Sequence, residues 1–292
     1  MSTITKRSKV LAFSDLIRLP SQYGTLLVLA PTLWSLFIAA GGRPGVHHLI
    51  VFIVGAFLMR SAGCAINDIA DRRFDGFVER TKMRPLTDGS LRLGEAVVVF
   101  AVFALVSFAL VLTLNRLTIA LSFVAIALAA GYPFVKRVSH FPQTVLGMAF
   151  GWGAVMAWTA ARGSIALTPI LIFAANIFWS MAYDTIYALM DIDDDRRIGV
   201  KSTAIFFGDR VYQALACFYL LMLLCLVLAG MASGLGVLYY IGVAISFAVF
   251  IAATFMVRKR PVRAVAYRGF CLNAWGGIIL LVFIVADLNL SV

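Results

Sequence analysis

Hydrophobic and polar positions in this chain come in long blocks rather than in residue-by-residue alternation. Nine apolar blocks, at 23–40, 48–66, 96–114, 117–133, 143–161, 165–185, 211–231, 235–257 and 269–286, are divided by short polar stretches. A helix of about 20 apolar residues crosses the hydrocarbon core of a bilayer, so each block is predicted to span one. The stretch 211–257 carries no charge, and Gly230, Ser233, Gly234 and Gly236 mark the hairpin that divides it in two. Backbone in lipid must satisfy its own hydrogen bonds, which predicts helices throughout; the alternation that a barrel strand requires is absent. The expected fold is all-α: a polytopic membrane protein with about nine transmembrane helices, as one domain over residues 1–292.

Composition agrees, with 62% hydrophobic residues in a chain of 292. The net charge of +11 raises the question of nucleic acid, but its distribution answers it. Lys and Arg collect before the first block (Lys6, Arg7, Lys9, Arg18), between the second and third, and after the fourth, sixth and eighth. Only Arg43, Arg116 and Arg162 fall on the opposite side, and Arg60 lies inside the second block. Cationic loops stay in the cytoplasm, so the N-terminus is expected inside and the C-terminus outside. The charge reflects topology, and no nucleic-acid partner is expected. The first block begins near Tyr23 after a long polar lead and reads as an anchor, not a cleavable signal peptide. Cys64, Cys217, Cys225 and Cys271 lie in or beside apolar blocks and read as packing residues. His47, His48 and His140 make no metal set.

All 14 acidic residues except Asp287 fall on the cationic side, which the topology rule does not require. Two clusters stand out. NDIADRRFD (67–75) closes the second block, and DIDDD (191–195) follows the sixth, a little beyond Asp184. On a helix, the spacing of Asn67, Asp71 and Asp75, and of Asp191 and Asp195, turns each set to one face. Crowded carboxylates beside hydrocarbon are costly, and a hard cation relieves the cost; Mg²⁺ is commonly held by one or two carboxylates plus substrate phosphates. The segments SAGCAINDIADRRFDG (61–76) and SMAYDTIYALMDIDDDRRIG (180–199) also resemble each other, which implies two four-helix repeats plus a ninth helix. The loops 67–94 and 187–210 would then form a cytoplasmic cap over the site.

A diphosphate with an isoprenoid tail matches these features. Its head would meet Mg²⁺ on the two clusters and the cations Arg72, Lys136, Arg137 and Lys201. Its tail would lie in an apolar tunnel, for which Phe150, Trp152, Trp158, Phe178 and Trp179 are candidates, although membrane aromatics are more often packing or interface anchors. Loss of the diphosphate leaves an allylic cation that an electron-rich ring attacks, in surroundings that exclude water. Asp68, Asp193 and Asp194 are either further ligands or solvated neighbours. Arg60, seven residues before Asn67 on the same helical face, is either a buried partner for the carboxylates or a snorkelling side chain. Asp184 precedes Asp191 by seven residues and shares its face. A transporter also fits repeats and intramembrane charge, but its site would lie nearer the midplane. A CDP-alcohol phosphotransferase would carry DGxxARxxxxxxxxGxxxD, which is absent, and a soluble isoprenyl diphosphate synthase would not carry nine apolar blocks.

The motifs NDIADRRFD (67–75), RTKMRPLTDG (80–89), YPFVKR (132–137), HFPQTVLG (140–147) and YDTIYALMDIDDDRRIGVKST (183–203) resemble, in order, those of the UbiA superfamily of intramembrane aromatic prenyltransferases. Within it, YPFVKR…FPQ and YDTIYALMDIDDD are most similar to the members that prenylate 4-hydroxybenzoate; dihydroxynaphthoate and haem are alternative acceptors. The resemblance implies that Asn67, Asp71, Asp75, Asp191 and Asp195 bind Mg²⁺-diphosphate, and that Tyr132 and Lys136 form a YxxxK pair with Lys136 on phosphate. It implies Arg72 and Arg137 for the diphosphate or for the acceptor carboxylate. Arg18 is a further candidate, standing where family members often carry a following Lys-Pro and this chain reads Ser21-Gln22. The substrates implied are polyprenyl diphosphate and 4-hydroxybenzoate, at an early membrane step of ubiquinone biosynthesis.

Overall fold

Each apolar block folds as a helix, and glycine or polar residues end it. The computed structural model describes residues 7–73, 75–135, 138–199, 201–259 and 262–290. A short α1 (Lys9–Leu16) precedes α2 (Tyr23–Ala39), α3 (Val46–Asp71), α4 (Leu93–Val111), α5 (Arg116–Val135), α6 (Pro142–Arg162) and α7 (Leu167–Ala188). Two short helices, α8 (Ile192–Ile198) and α9 (Thr203–Phe207), lead to α10 (Val211–Ser233), α11 (Val237–Lys259) and α12 (Arg263–Leu290). The described residues contain no strand. Seven helical stretches among them are long and apolar enough to cross a membrane, and Tyr23–Ala39 and Arg116–Tyr132 are shorter apolar helices. This is an integral membrane, all-helical architecture. The predicted hairpin falls at Gly234, whose φ of 63° ends α10 in the left-handed region.

Two elements depart from the expected boundaries. α3 ends at Asp71, and Asp75 opens a separate 3₁₀ turn, Asp75–Phe77. Asn67, Asp71 and Asp75 therefore do not share one helix. α12 starts at Arg263, well before the apolar block at 269, because Ala264, Val265 and Ala266 continue the helical face through the charged residues.

The most extensive contacts join α11 with α12, α7 with α10, α6 with α7, α2 with α6, and α3 with α4. Between membrane helices, small residues allow the close approach that packing needs. Gly147 shows it: a Cβ there would stand 2.7 Å from Ile177 Cα. The centre is an aromatic stack with its polar atoms satisfied. Trp34 and Trp179 stack at 5.4 Å. Trp34 Nε1 donates to Gly277 O (2.9 Å), while Trp179 Nε1 (3.0 Å) and Tyr219 OH (2.8 Å) both donate to Asn273 Oδ1. At the opposite end from the clusters, buried Asp287 accepts from Gly236 N (2.7 Å) and Tyr239 N (3.2 Å), capping the start of α11. This explains the one acidic residue on that side.

Candidate functional site

A cavity of about 760 Å³ runs into the bundle, walled by α2 to α7 and α12. One end is polar, with Arg18, Asn67, Arg80, Arg84, Asp184 and Arg263 in its wall together with Tyr132, Tyr183, Tyr187 and Tyr267. Further along the same helices the wall turns apolar: Val28, Phe52, Phe108, Val111, Ile126, Phe150 and Met156. Of the aromatic candidates for a tunnel, Phe150 lines the cavity. Trp152 instead packs on Phe173 and donates to Leu121 O, Trp179 belongs to the central stack, and Phe178 and Trp158 pack against the core.

The first acidic cluster is buried behind arginines. Asp68 is fully buried (0%) and not solvated, which corrects one of its two readings. It accepts from Arg18 Nη2 (2.7 Å) and pairs with Arg84 Nη1 (2.9 Å). The same Arg84 nitrogen lies 3.0 Å from Asp75 Oδ2, so one guanidinium bridges two carboxylates. Burial pushes the Asp75 carboxyl up from its ordinary range, with Arg84 opposing and Asp71 and Asp68 adding to the rise. Asp71 is buried at the last turn of α3. Asn67 lines the cavity, and its Oδ1 is buried without a hydrogen-bond partner, as is Asp68 Oδ2. Arg18 holds its position with φ of 56°, a left-handed conformation uncommon outside glycine. Its carbonyl accepts from Gln22 Nε2 (2.8 Å), and Ser21 Oγ hydrogen-bonds Tyr267 OH (2.7 Å). Ser21 and Gln22 thus secure the start of α2, and Ser21 also lines the cavity.

The second cluster meets the loop that follows the first. Asp191, the N-cap of α8, is buried, and its Oδ2 pairs with Arg80 Nη2 (2.6 Å) and Nε (2.8 Å). Its Oδ1 is buried without a partner. Arg80 also donates to Tyr187 OH (3.0 Å) with its guanidinium carbon 5.0 Å from that ring's centroid. Burial alone would lower the Arg80 pKa; Tyr187 and Asp191 outweigh it, and the net shift is upward. Asp194 is not a solvated neighbour: it pairs with Arg263 (2.8 Å) and accepts from Glu79 N (3.4 Å). Asp193 is exposed. Asp195 lies in α8, one turn beyond Asp191, and donates its backbone N–H to Asp191 O (2.8 Å).

Arg60 stands in the cavity wall on α3, with Nη1 against Cys64 Sγ and a buried Nε that has no partner. Among the described residues no carboxylate forms an ion pair with it, so the reading of Arg60 as a partner for the clusters is corrected. It does not snorkel either, because its head lies toward Gly24 on α2.

The remaining predicted residues divide. Tyr132 and Asp184 line the cavity. Arg72 is exposed at the C-cap of α3 and reaches back to Ile69 O (3.5 Å), while Lys201 Nζ donates to Val138 O (3.3 Å); neither lines the cavity. Lys136 and Arg137 lie outside the described residues. Arg80, Arg84 and Arg263 are the site cations that sequence reasoning passed over; Arg80 and Arg84 were visible within RTKMRPLTDG, but nothing in their spacing separates them from topology-setting charge. Among the described residues, no three carboxylate, thiol or imidazole groups stand together as a metal cage.

Comparison with known proteins places these features in a family. The UbiA prenyltransferase family profile matches residues 28–275. The chain is 48% identical, over 99% of both chains, to the 4-hydroxybenzoate octaprenyltransferase of Aeromonas salmonicida (strain A449). It is 47% identical to the 4-hydroxybenzoate octaprenyltransferase of Pseudomonas aeruginosa (strain LESB58), over 94% of this chain and 93% of that one. The apo structure of a UbiA homolog from Aeropyrum pernix K1 superposes with a TM-score of 0.79 at 27% identity, covering 90% of this chain and 98% of that one. A UbiA homolog from Archaeoglobus fulgidus bound to DMAPP and Mg²⁺ shares the fold, with a TM-score of 0.69 at 18% identity over 93% and 98% of the two chains.

Proposed function

Because the chain belongs to the UbiA prenyltransferase family, we propose that it transfers a polyprenyl group from polyprenyl diphosphate to 4-hydroxybenzoate, on the ring carbon ortho to the hydroxyl. This is an early membrane step of ubiquinone biosynthesis. The observation that carries the reading is the polarity of the cavity: guanidinium groups at one end, hydrocarbon at the other, and in the wall Arg60, which has no carboxylate partner among the described residues and a buried Nε without a hydrogen bond. A diphosphate, a prenyl tail and an aromatic carboxylate each have a place there.

The donor set suits Mg²⁺, since buried oxygens of Asn67, Asp68 and Asp191 lack partners and oxygen is what a hard cation takes. Asn67, Asp71, Asp75, Asp191 and Asp195 would hold it. When bound, Mg²⁺ supplies positive charge that stabilises the diphosphate leaving group. Arg18, Arg80 and Arg84 orient the head group, and Tyr132 stands in the wall beside it. Lys136 and Lys201 are assigned to the diphosphate, and Arg72 and Arg137 to the diphosphate or the acceptor carboxylate, from the sequence alone. The allylic C–O bond breaks with its electrons leaving on the diphosphate, the apolar wall excludes water, and the ring carbon takes up the prenyl cation before losing its proton.

Arg60 holds the acceptor carboxylate. A buried guanidinium without a counter-ion is costly, and an anionic acceptor relieves the cost. Asp184 faces the same space. The membrane is a bacterial-type inner membrane, with the polar end of the cavity and the N-terminus in the cytoplasm and the C-terminus outside.

The test is product analysis from membranes given geranyl diphosphate and a panel of acceptors. Prenylated 4-hydroxybenzoate is expected. Product from dihydroxynaphthoate with none from 4-hydroxybenzoate moves the acceptor and keeps the reaction class, and no prenylated product from any acceptor sinks the class.

A further inference from the structure

We propose that Arg80 and Arg84 are exchangeable counter-ions: they neutralise the acidic clusters in the unloaded protein and leave them for the diphosphate when the site is loaded. The proposal rests on the Mg²⁺-diphosphate reading above and adds how the two ligands are coupled.

The first ground is position. Arg80 and Arg84 form part of the cavity wall, while their partners Asp68, Asp75 and Asp191 are buried, at 0%, 6% and 6% exposure. An incoming ligand therefore meets these two guanidinium groups before the carboxylates that they pair with, although Asp184 also stands in the wall. That surface draws an anion in and repels a bare cation.

The second ground is the spacing of the clusters. Arg84 stands between Asp68 and Asp75, within 3.0 Å of both, and Arg80 occupies Asp191 Oδ2 at 2.6 Å. No three acidic groups among the described residues stand close enough to share a metal. Arginines fill the places where the carboxylates would converge. The pairing is also incomplete, because Asp68 Oδ2 and Asp191 Oδ1 are buried with no hydrogen-bond partner. These carboxylates keep capacity for a stronger cation.

The third ground is charge. In a partly desolvated site, a divalent cation entering alone would displace a guanidinium that then has no anion to meet. A diphosphate entering alone would find its arginines already engaged by carboxylates. Together, the metal takes the carboxylates and the diphosphate takes the guanidinium groups, so each charge keeps a partner. Arg80 has a seat to swing about, since it already lies over the Tyr187 ring and donates to its hydroxyl. Coupling of this kind is reciprocal, so each ligand raises the other's affinity.

The experiment uses the full chain in lipid nanodiscs. Mn²⁺ serves as the metal, read by electron paramagnetic resonance, and inorganic pyrophosphate in EDTA is read by calorimetry. Metal and pyrophosphate also associate in solution, so each is titrated alone. Arg80→Gln and Arg84→Gln should bind Mn²⁺ alone more tightly than the native protein, by a factor on the order of 5 to 150. The same variants should bind pyrophosphate alone more weakly. Mn²⁺ affinity that is unchanged or lowered overturns the exchange: unchanged means that the arginines serve phosphate only, and a fall in both affinities means that they serve the fold. Arg80 is on a partly exposed loop, so Arg80→Gln decides the matter if Arg84→Gln does not fold. Native protein that binds neither Mn²⁺, pyrophosphate nor their mixture removes the diphosphate reading and the exchange with it.

Discussion

The Arg60 guanidinium occupies the notch that Gly24 leaves on α2: a Cβ at residue 24 would stand 2.5 Å from Arg60 Nε and 2.6 Å from Nη2. The relationship joins two helices across the cavity wall. Gly24 is needed for the absence of a side chain, since no positive φ is involved. Gly24→Ala should push the guanidinium out of its seat while leaving the diphosphate end untouched. The expected outcome is a raised KM for 4-hydroxybenzoate with little change for geranyl diphosphate. An equal rise for both substrates would mean that the helices, and not Arg60 alone, had moved.

Divalent metal should be required for turnover. EDTA should abolish activity and Mg²⁺ restore it. Asp71→Asn and Asp191→Asn each remove a charge with little change of shape, and each should lower turnover by roughly a hundredfold or more, the scale seen when a single charge-stabilising group is lost. Asp71 ends α3 and Asp191 caps α8, and the Arg80–Asp191 pair ties the segment after α3 to the start of α8, so both variants must be affected if one diphosphate lies between them. Activity of either variant near the native level would divide the site.

The sequence carried the fold further than the site. Block length alone places the apolar helices, because lipid leaves the backbone few options. It could not show that α3 stops at Asp71, because Asp71–Asp75 keeps helical spacing while the chain turns into the 3₁₀ segment. The acidic clusters were legible as unneeded charge on a surface that topology explains only in part. Arg80 and Arg84 were not, since positive loop residues are what the topology rule already demands. Arg60 was noticed for its setting, but its counterpart Gly24 carries no signal in the chain; only the approach of α2 to α3 reveals it.

Orientation can be read directly. In a chain with Cys217, Cys225 and Cys271 replaced by alanine and buried Cys64 kept, Val46→Cys should react in intact cells with an impermeant thiol reagent. Met83→Cys should react only after permeabilisation. Both positions are exposed, at 71% and 62%, so side of the membrane and not burial decides the labelling. The reverse pattern would invert the topology.

Asp287 should matter for stability and not for chemistry. Its carboxylate accepts two backbone N–H groups at the start of α11, far from the acidic clusters. Asp287→Ala strands both donors, at a cost of about 1–3 kcal/mol. Thermal unfolding in detergent should shift down, with kcat unchanged for the folded fraction. An altered kcat with an unchanged melting temperature would contradict the capping role.

Arg60 and the acceptor carboxylate can be tested against each other by changing one side at a time. If they form an ion pair, removing either partner should cost about the same, and removing both should cost little more than removing one. Arg60→Gln with 4-hydroxybenzoate, native protein with a phenol carrying a neutral amide in place of the carboxylate, and the variant with that phenol complete the cycle. A charged hydrogen bond is worth about 1.5–3 kcal/mol, so each single change should lower kcat/KM by one to two orders of magnitude. The variant should then discriminate poorly between the two acceptors, because Gln can hydrogen-bond an amide as readily as a carboxylate. Additive losses would show that the two groups act apart, and would return the carboxylate to Arg137 or Arg72, the cations that the motifs offer for it. Turnover of geranyl diphosphate at saturating acceptor guards against a general defect: it should stay near the native level in the variant, since Arg60 bears on the ring that attacks and not on the bond that breaks.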